Sequence, residues 1–269
     1  MCQVFKSYLP RNQRIRRQNL TKLKFHIFVL KLTNFILIKP QVRYESVRGK
    51  PYQEVWDDQS NRLQLLVHRK LALRNGEKTD PLVHHLMFCE HSPVFTLGKS
   101  GSMQNLLLTE QELSTQGIEF FKINRGGDIT YHGPGQITGY PIFDLDDFFT
   151  DIHRYVRTIE QAVIDTLLHY DIIGYRVPEY TGVWVGKSSE ERKICAIGVH
   201  MSRWITMHGF ALNVNTDLDY FDKIVPCGIS DKAVTSLQKE VGKAIDIQEV
   251  MELLKYNFSV CFDFEYIKN

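Results

Sequence analysis

The sequence predicts an α/β domain of the α+β type, with a mixed, mainly antiparallel sheet flanked by helices. Three observations carry this expectation. Strand-like runs at 182–185, 193–199 and 204–214 are separated only by a polar G-K-S-S-E-E-R segment and an H-M-S-R turn, which is hairpin spacing. Stretches at 51–73, 151–170 and 247–258 place apolar residues at helical intervals. With 269 residues, 43% of them apolar, the chain is long enough to bury a full core. The helices are expected on one side of the sheet, giving two layers.

Each element has its own signal. Pro51 suits the first position of a helix, and Val55, Trp56, Leu63, Leu66 and Val67 give that helix an apolar side. Two strands, 82–89 and 94–97, are joined by E-H-S-P. Thr109 and Glu112 have capping-box spacing for a short helix ending near Gly117. Residues 119–123 read as a strand. The helix at 151–170 is the most regular, with Ile152, Tyr155, Val156, Ile159, Val163 and Leu167 on one stripe. Asp246 and Glu249 favour the start of a last helix.

Charge divides the chain. Ten of the 33 Lys and Arg fall within residues 1–44, which hold no Asp or Glu; the other 23 face all 31 acidic residues, a balance of −8. An acidic body makes nucleic acid a poor partner. Residues 1–44 are expected to be a basic extension outside the fold, and 45–269 a single domain. The apolar run between Lys24 and Lys39 is interrupted by Lys31 and is too short to span a bilayer. The five cysteines are scattered, with no C-x-x-C pair; this fits a reducing compartment, here read as the cytoplasm, and argues against a zinc site.

Residues 125–136 read R-G-G-D-I-T-Y-H-G-P-G-Q, with four glycines in twelve residues. Such density marks backbone that takes positive φ or lies close to another group. The strand-like flanks, with Arg and His between, suggest a loop that touches a ligand; an ordinary hairpin loop is the plainer alternative. The spacing is neither a dinucleotide fingerprint nor a P-loop. Three further blocks follow: K-I-C-A-I-G at 193–198, M-H-G-F-A-L-N-V-N at 207–215, and P-C-G-I at 226–229.

These four blocks, in this order, resemble the lipoyl(octanoyl) transferases of lipoate biosynthesis. The resemblance spans residues 52–258. It implies the biotin/lipoate protein ligase catalytic fold and a two-step transfer: octanoyl moves from octanoyl-acyl carrier protein to a cysteine, then to one lysine of a lipoyl domain. The acceptors implied are lipoyl domains of 2-oxoacid dehydrogenases and the glycine cleavage H protein. No metal, nucleotide or flavin is implied, nor any nucleic acid or membrane partner.

By the same resemblance Cys227 is the nucleophile and Lys193 its partner. An ordinary thiol, with a pKa of ~8.5, is only a few per cent thiolate near neutrality, so a nearby ammonium is needed. Cys195 is a rival on spacing alone. In a regular strand Lys193 and Cys195 share a face, about 6.6 Å apart. The family tolerates Ala there, which demotes Cys195 to packing.

The substrate pocket is expected to be lined by Arg125, Gly126, Gly127, Asp128, Ile129, Thr130, Tyr131 and His132. Glycine N–H groups there are suited to stabilising an oxyanion. Ala196, Ile197, Gly198, Gly209, Phe210 and Ala211 are candidates for the wall of an acyl tunnel, or plain strand core. His132 is open to two readings, a donor to substrate or a structural ring. Rival functions are an ATP-dependent lipoate or biotin ligase, a non-catalytic module that binds acyl carrier protein or lipoyl domains, and a Cys–His hydrolase. Dependence on ATP, a covalent acyl adduct, and release of octanoate without an acceptor separate them.

Overall fold

A computed structural model describes residues 39–178, 180–187, 190–225 and 233–267. The chain divides into a unit Met1–Lys39 and a unit Pro40–Asn269, and the elements below belong to the second. In order they are β1 (Gln41–Arg48), α1 (Tyr52–Arg74), β2 (His84–Glu90), β3 (Val94–Leu97), α2 (Glu110–Thr115), β4 (Glu119–Lys122), β5 (Ile129–His132), β6 (Gln136–Ile142), α3 (Ile152–Leu168), β7 (Tyr175–Val177), β8 (Tyr180–Val185), β9 (Arg192–Ser202), β10 (Ile205–Asn213), β11 (Ala233–Val234), α4 (Leu237–Val241), α5 (Ile247–Phe262) and β12 (Glu265–Tyr266).

The larger sheet runs β12-β1-β2-β6-β10-β9-β8-β7, with β11 added against β9. Its centre is antiparallel, while β1 pairs in parallel with β2 and β12. A smaller sheet runs β4-β3-β5.

Helices cover both faces of the large sheet, where the sequence suggested one. Strand β2 shows this by alternation. Leu86 and Phe88 join Tyr155 and Ile159 of α3 and Leu254 and Phe258 of α5 in one core. Met87 and Cys89 join Val55, Leu63, Leu66 and Val67 of α1 in another. Strands buried on both faces read as continuous apolar runs, so H-H-L-M-F-C-E gives no sign of which face a helix will take.

Other expectations need local correction. Strands β2 and β3, joined by E-H-S-P as expected, belong to different sheets. Pro51 sits at the N-cap of α1, one residue before the first helical position. The β9–β10 turn is Arg203–Trp204, both at positive φ (51° and 67°), so β9 continues through the expected turn to Ser202. The proposed boundary at residue 44 falls inside β1. Val42 is fully buried, and the Tyr44 ring meets Phe88 edge-on at 5.4 Å. Residues 1–38 of the basic extension lie outside the described residues.

Several elements form where the sequence indicated. Helix α2 carries the full Thr109–Glu112 capping box. Helices α3 and α5 begin at Asp151 and Asp246, whose side chains accept from the N–H groups of Arg154 and Gln248.

Candidate functional site

The glycine-rich segment is a bridge between strands and no simple hairpin. β4 and β5 both pair with β3, on opposite sides, so residues 123–128 cross the end of β3 to connect them. The crossing is clipped on both flanks. Lys99 N–H donates to Arg125 O at 2.9 Å and Ser100 N–H to Gly127 O at 3.2 Å. Gly126 N–H donates to Val199 O at 2.9 Å, so it braces the loop against β9 and is not spare for an oxyanion. The close approach explains two glycines elsewhere. A Cβ on Gly98 would stand 2.3 Å from Gly127 O, and one on Gly198 2.9 Å from Gly126 O.

Arg125 is buried within this crossing. Its Nη2 donates to Thr96 O at 2.7 Å and Thr96 Oγ1 at 3.0 Å, and Nη1 to Gly126 O at 3.0 Å. The hydrogen bonds continue in one direction. Thr96 Oγ1 meets His132 Nε2 at 3.3 Å. His132 Nδ1 meets Gln136 Oε1 at 2.8 Å, and Gln136 Nε2 donates to Asn213 Oδ1 at 2.9 Å and Tyr131 O. Asn213 Nδ2 then donates to Thr235 O at 3.0 Å. Since Gln136 Nε2 is the donor, Oε1 accepts, and His132 carries its proton on Nδ1.

Three histidines around the cavity are therefore neutral. Burial pulls His132 down to about 3, helped by His91 and Arg125. Burial and Arg125 bring His208 to about 3, and burial alone brings His91 to about 4. His91 Nε2 meets Tyr140 Oη at 2.8 Å, and His208 Nε2 meets Asn124 Oδ1 at 2.7 Å. For His132, with both ring nitrogens engaged by protein groups, the structural role is the one the geometry favours.

A cavity of about 470 Å³ opens between the glycine-rich crossing and β9–β10, a size typical of small-molecule sites (~300–1,000 Å³). Its lining includes Lys193, Ala196, Ile197, Gly198, Gly209, Phe210 and Ala211, together with Arg125, Gly126, Gly127, Asp128, Ile129, Thr130 and His132. Tyr131 stands apart. Adjacent β5 side chains alternate, and its ring stacks on Tyr220 at 4.4 Å, away from the cavity. The sequence reading missed Tyr52, Tyr140, Tyr180 and His208 as lining residues. Gln136 and Asn213 also line the cavity; both stood in quoted motifs, and their polarity within otherwise apolar strands was the available signal.

Lys193 and Cys195 do not share a face. Val183 pairs with Cys195 but Trp184 with Lys193, so β9 has one extra residue there, a β-bulge that turns the chain. Cys195 is fully buried in the core under α3 and α5, and burial drives its thiol far above the usual range. Lys193 lines the cavity, its Nζ 4.7 Å from the centroid of the Trp184 ring.

Pro226, Cys227 and Gly228 lie outside the described residues, but both flanks are placed. Val225 N–H donates to Asn105 O at 2.8 Å, and the Asn105 amide donates to the Asp128 carboxylate. On the far side Val234 pairs directly with Lys193, and Thr235 N–H donates to Lys193 O at 3.0 Å. Phe221 and Val234 both line the cavity.

Residues 62–259 match the profile of the lipoyl protein ligase A/B catalytic domain. The chain belongs to this family. It is 51% identical over 224 residues to the octanoyltransferase of Flavobacterium psychrophilum, covering 82% of this chain and 97% of that protein. It is 53% identical over 227 residues to the octanoyltransferase of Christiangramia forsetii, covering 84% and 97%. In fold it resembles a putative lipoate protein ligase from T. acidophilum with bound lipoic acid (TM-score 0.60, 17% identity, 85% of this chain and 89% of that one). It also resembles lipoate-protein ligase A bound with ATP (TM-score 0.59, 18% identity, 86% and 89%). The family fold is thus the one observed, a mixed sheet with helices on both faces.

Proposed function

We propose that this protein is an acyltransferase that moves an octanoyl group from octanoyl-acyl carrier protein to a lysine of a lipoyl domain, through a thioester on Cys227. The observation that carries the reading is the placement of Lys193. It lines an apolar-walled cavity, and the chain returning from the P-C-G segment pairs beside it at Val234. Relatives about half identical over most of their length are named octanoyltransferases, which supports the same acyl group here.

In this mechanism the Lys193 ammonium favours the Cys227 thiolate, which attacks the carrier thioester. The carrier thiolate leaves and takes up the proton of the Lys193 ammonium, which leaves that amine neutral and able to accept a proton in the second step. The acceptor lysine then attacks the acyl-enzyme, loses its proton to Lys193 or solvent, and expels the Cys227 thiolate as the amide forms. The acyl chain binds along Ala196, Gly198, Gly209 and Ala211, where each buried CH₂ contributes about 0.8 kcal/mol. Thr130 and the glycine-rich crossing close the cavity over the reacting carbonyl.

Transfer from octanoyl-acyl carrier protein to a lipoyl domain should proceed without ATP. A strict ATP requirement would favour the ligase reading instead. Accumulation of octanoate with no amide product would point to a hydrolase.

A further inference from the structure

From the geometry we infer that Trp184 is a positioning residue for this reaction: its indole face seats the Lys193 ammonium at the cavity wall, beside Val234, to which the chain returns after Cys227. This rests on the Lys193–Cys227 pairing proposed above.

The seat is built into the sheet. Trp184 lies on β8 directly across from Lys193, at the place where the β9 bulge changes register. Without the bulge, strand alternation would set Lys193 on the same side as Cys195, in the core. The indole is 1% exposed, and the ammonium sits 4.7 Å from its centroid, inside the ~6 Å range of a cation–π contact. A buried ring offers this attraction with little competition from water.

The backbone beneath is fixed by α3. Gly182 N–H donates to Glu160 Oε1 at 3.0 Å. Glu160 is fully buried and already held by Arg157 at 2.7 Å and Arg176 at 3.0 Å. A Cβ on Gly182 would meet Cys195 O at 2.5 Å and lie 3.6 Å from Lys193 Cε, so β8 presses against the lysine stem. Among the described residues, the charged groups on the elements packed around Lys193 include this Glu160 with its two arginines, the Arg192–Glu240 pair at 2.9 Å where β9 meets α4, Glu191 beside Arg192, and Lys239 on α4. Tyr180 contributes a ring 5.9 Å from Trp184. The indole face is a contact that favours a positive charge at Nζ and does not itself supply an anion to compete with the Cys227 thiolate.

The test follows the rate and pH profile of iodoacetamide modification at Cys227, read by peptide mass mapping, in the full chain. Trp184→Leu should slow modification at pH 7 by about threefold to tenfold and move the profile to higher pH, because the ammonium is no longer held in one place. Trp184→Phe keeps a ring face and should stay within about threefold of wild type. If Trp184→Leu fails to fold, uniform 5-fluoro- and 5,6-difluorotryptophan incorporation preserves the side chain's shape while weakening the ring's negative face. The rate should then fall stepwise with fluorine number, and the dependence should vanish in a Trp184→Phe background. Unchanged rates across the fluorinated series, or a faster reaction in Trp184→Leu, would overturn the inference. Lys193→Ala separates the two layers of the argument. If it reacts as fast as wild type, the pairing itself is wrong. If it is slow while the tryptophan series is flat, the pairing stands and the seat does not.

Discussion

At the scale of single residues, burial and a bulge count against Cys195 as the nucleophile. Cys195→Ala should keep most activity, since its thiol packs in the core. Cys227→Ser should abolish rapid acyl-enzyme formation, and Lys193→Ala should slow Cys227 modification near neutral pH while recovering as pH nears the ordinary thiol value of ~8.5. Octanoyl mapped to Cys195 would refute this assignment. The sequence could not foresee the bulge, because one extra residue leaves no mark in composition, yet it reverses which side chain faces the cavity.

The buried histidines make a second prediction at this scale. His91, His132 and His208 have folded values of about 4, 3 and 3, against an ordinary 6.5. Each binds its proton more readily when unfolded, so the unfolded chain takes up protons first and stability falls as pH drops below ~6.5. The loss should continue until pH approaches the folded values, at up to about 1.4 kcal/mol per pH unit for each ring. Above ~6.5 these groups add no pH dependence. Denaturant titrations between pH 7 and 4.5 should show this slope; equal stability across that range would contradict the buried, neutral assignment.

At the scale of elements, what was legible depended on whether a signal is local. The Thr109–Glu112 box and the Asp151 and Asp246 caps each involve neighbours three or fewer residues apart, and each appears as expected. Strand β1 was missed because Q-V-R-Y-E-S-V-R alternates only weakly and its partners, β2 and β12, are distant in sequence. Its parallel pairing changes the expectation for trimming the basic extension. A chain beginning at Pro40 should keep the full melting temperature and transfer rate. One beginning at Glu45 loses the full burial of Val42, at about 1.5–3 kcal/mol, and the partial burial of Tyr44, and should melt roughly 5–10 °C lower. Identical melting curves for the two would show that the start of β1 contributes nothing.

At the scale of the whole molecule, the resemblance carried by four motif blocks identified the fold, and the three of them that fall among the described residues, at 125–136, 193–198 and 207–215, all line one cavity. The split of helices between the two faces was not legible, since strands buried on both sides look alike from either. Charge acts at this scale too. No helix among the described residues is long and apolar enough to cross a membrane. The body outside residues 1–44 carries a balance of −8, yet exposed Lys99 and Lys122 flank the glycine-rich crossing. Arg192, on β9, is held by Glu240. By the family resemblance the proposed carrier is acidic and should be drawn to that rim, so kcat/KM should fall as ionic strength rises. Reversing Lys99 and Lys122 together to Glu should lower kcat/KM severalfold at low salt with little change in kcat. Salt-independent kinetics would remove the electrostatic part of the encounter.

The central claim is a covalent octanoyl-enzyme on Cys227, and intact mass spectrometry after incubation with octanoyl-acyl carrier protein tests it most directly. The account predicts a mass gain of one octanoyl group that is removed by neutral hydroxylamine, absent in Cys227→Ser on the same timescale, and lost on adding a lipoyl domain as the acceptor gains the group. An enzyme that modifies the acceptor at full rate while never carrying the group, or carries it equally well without Cys227, would contradict it.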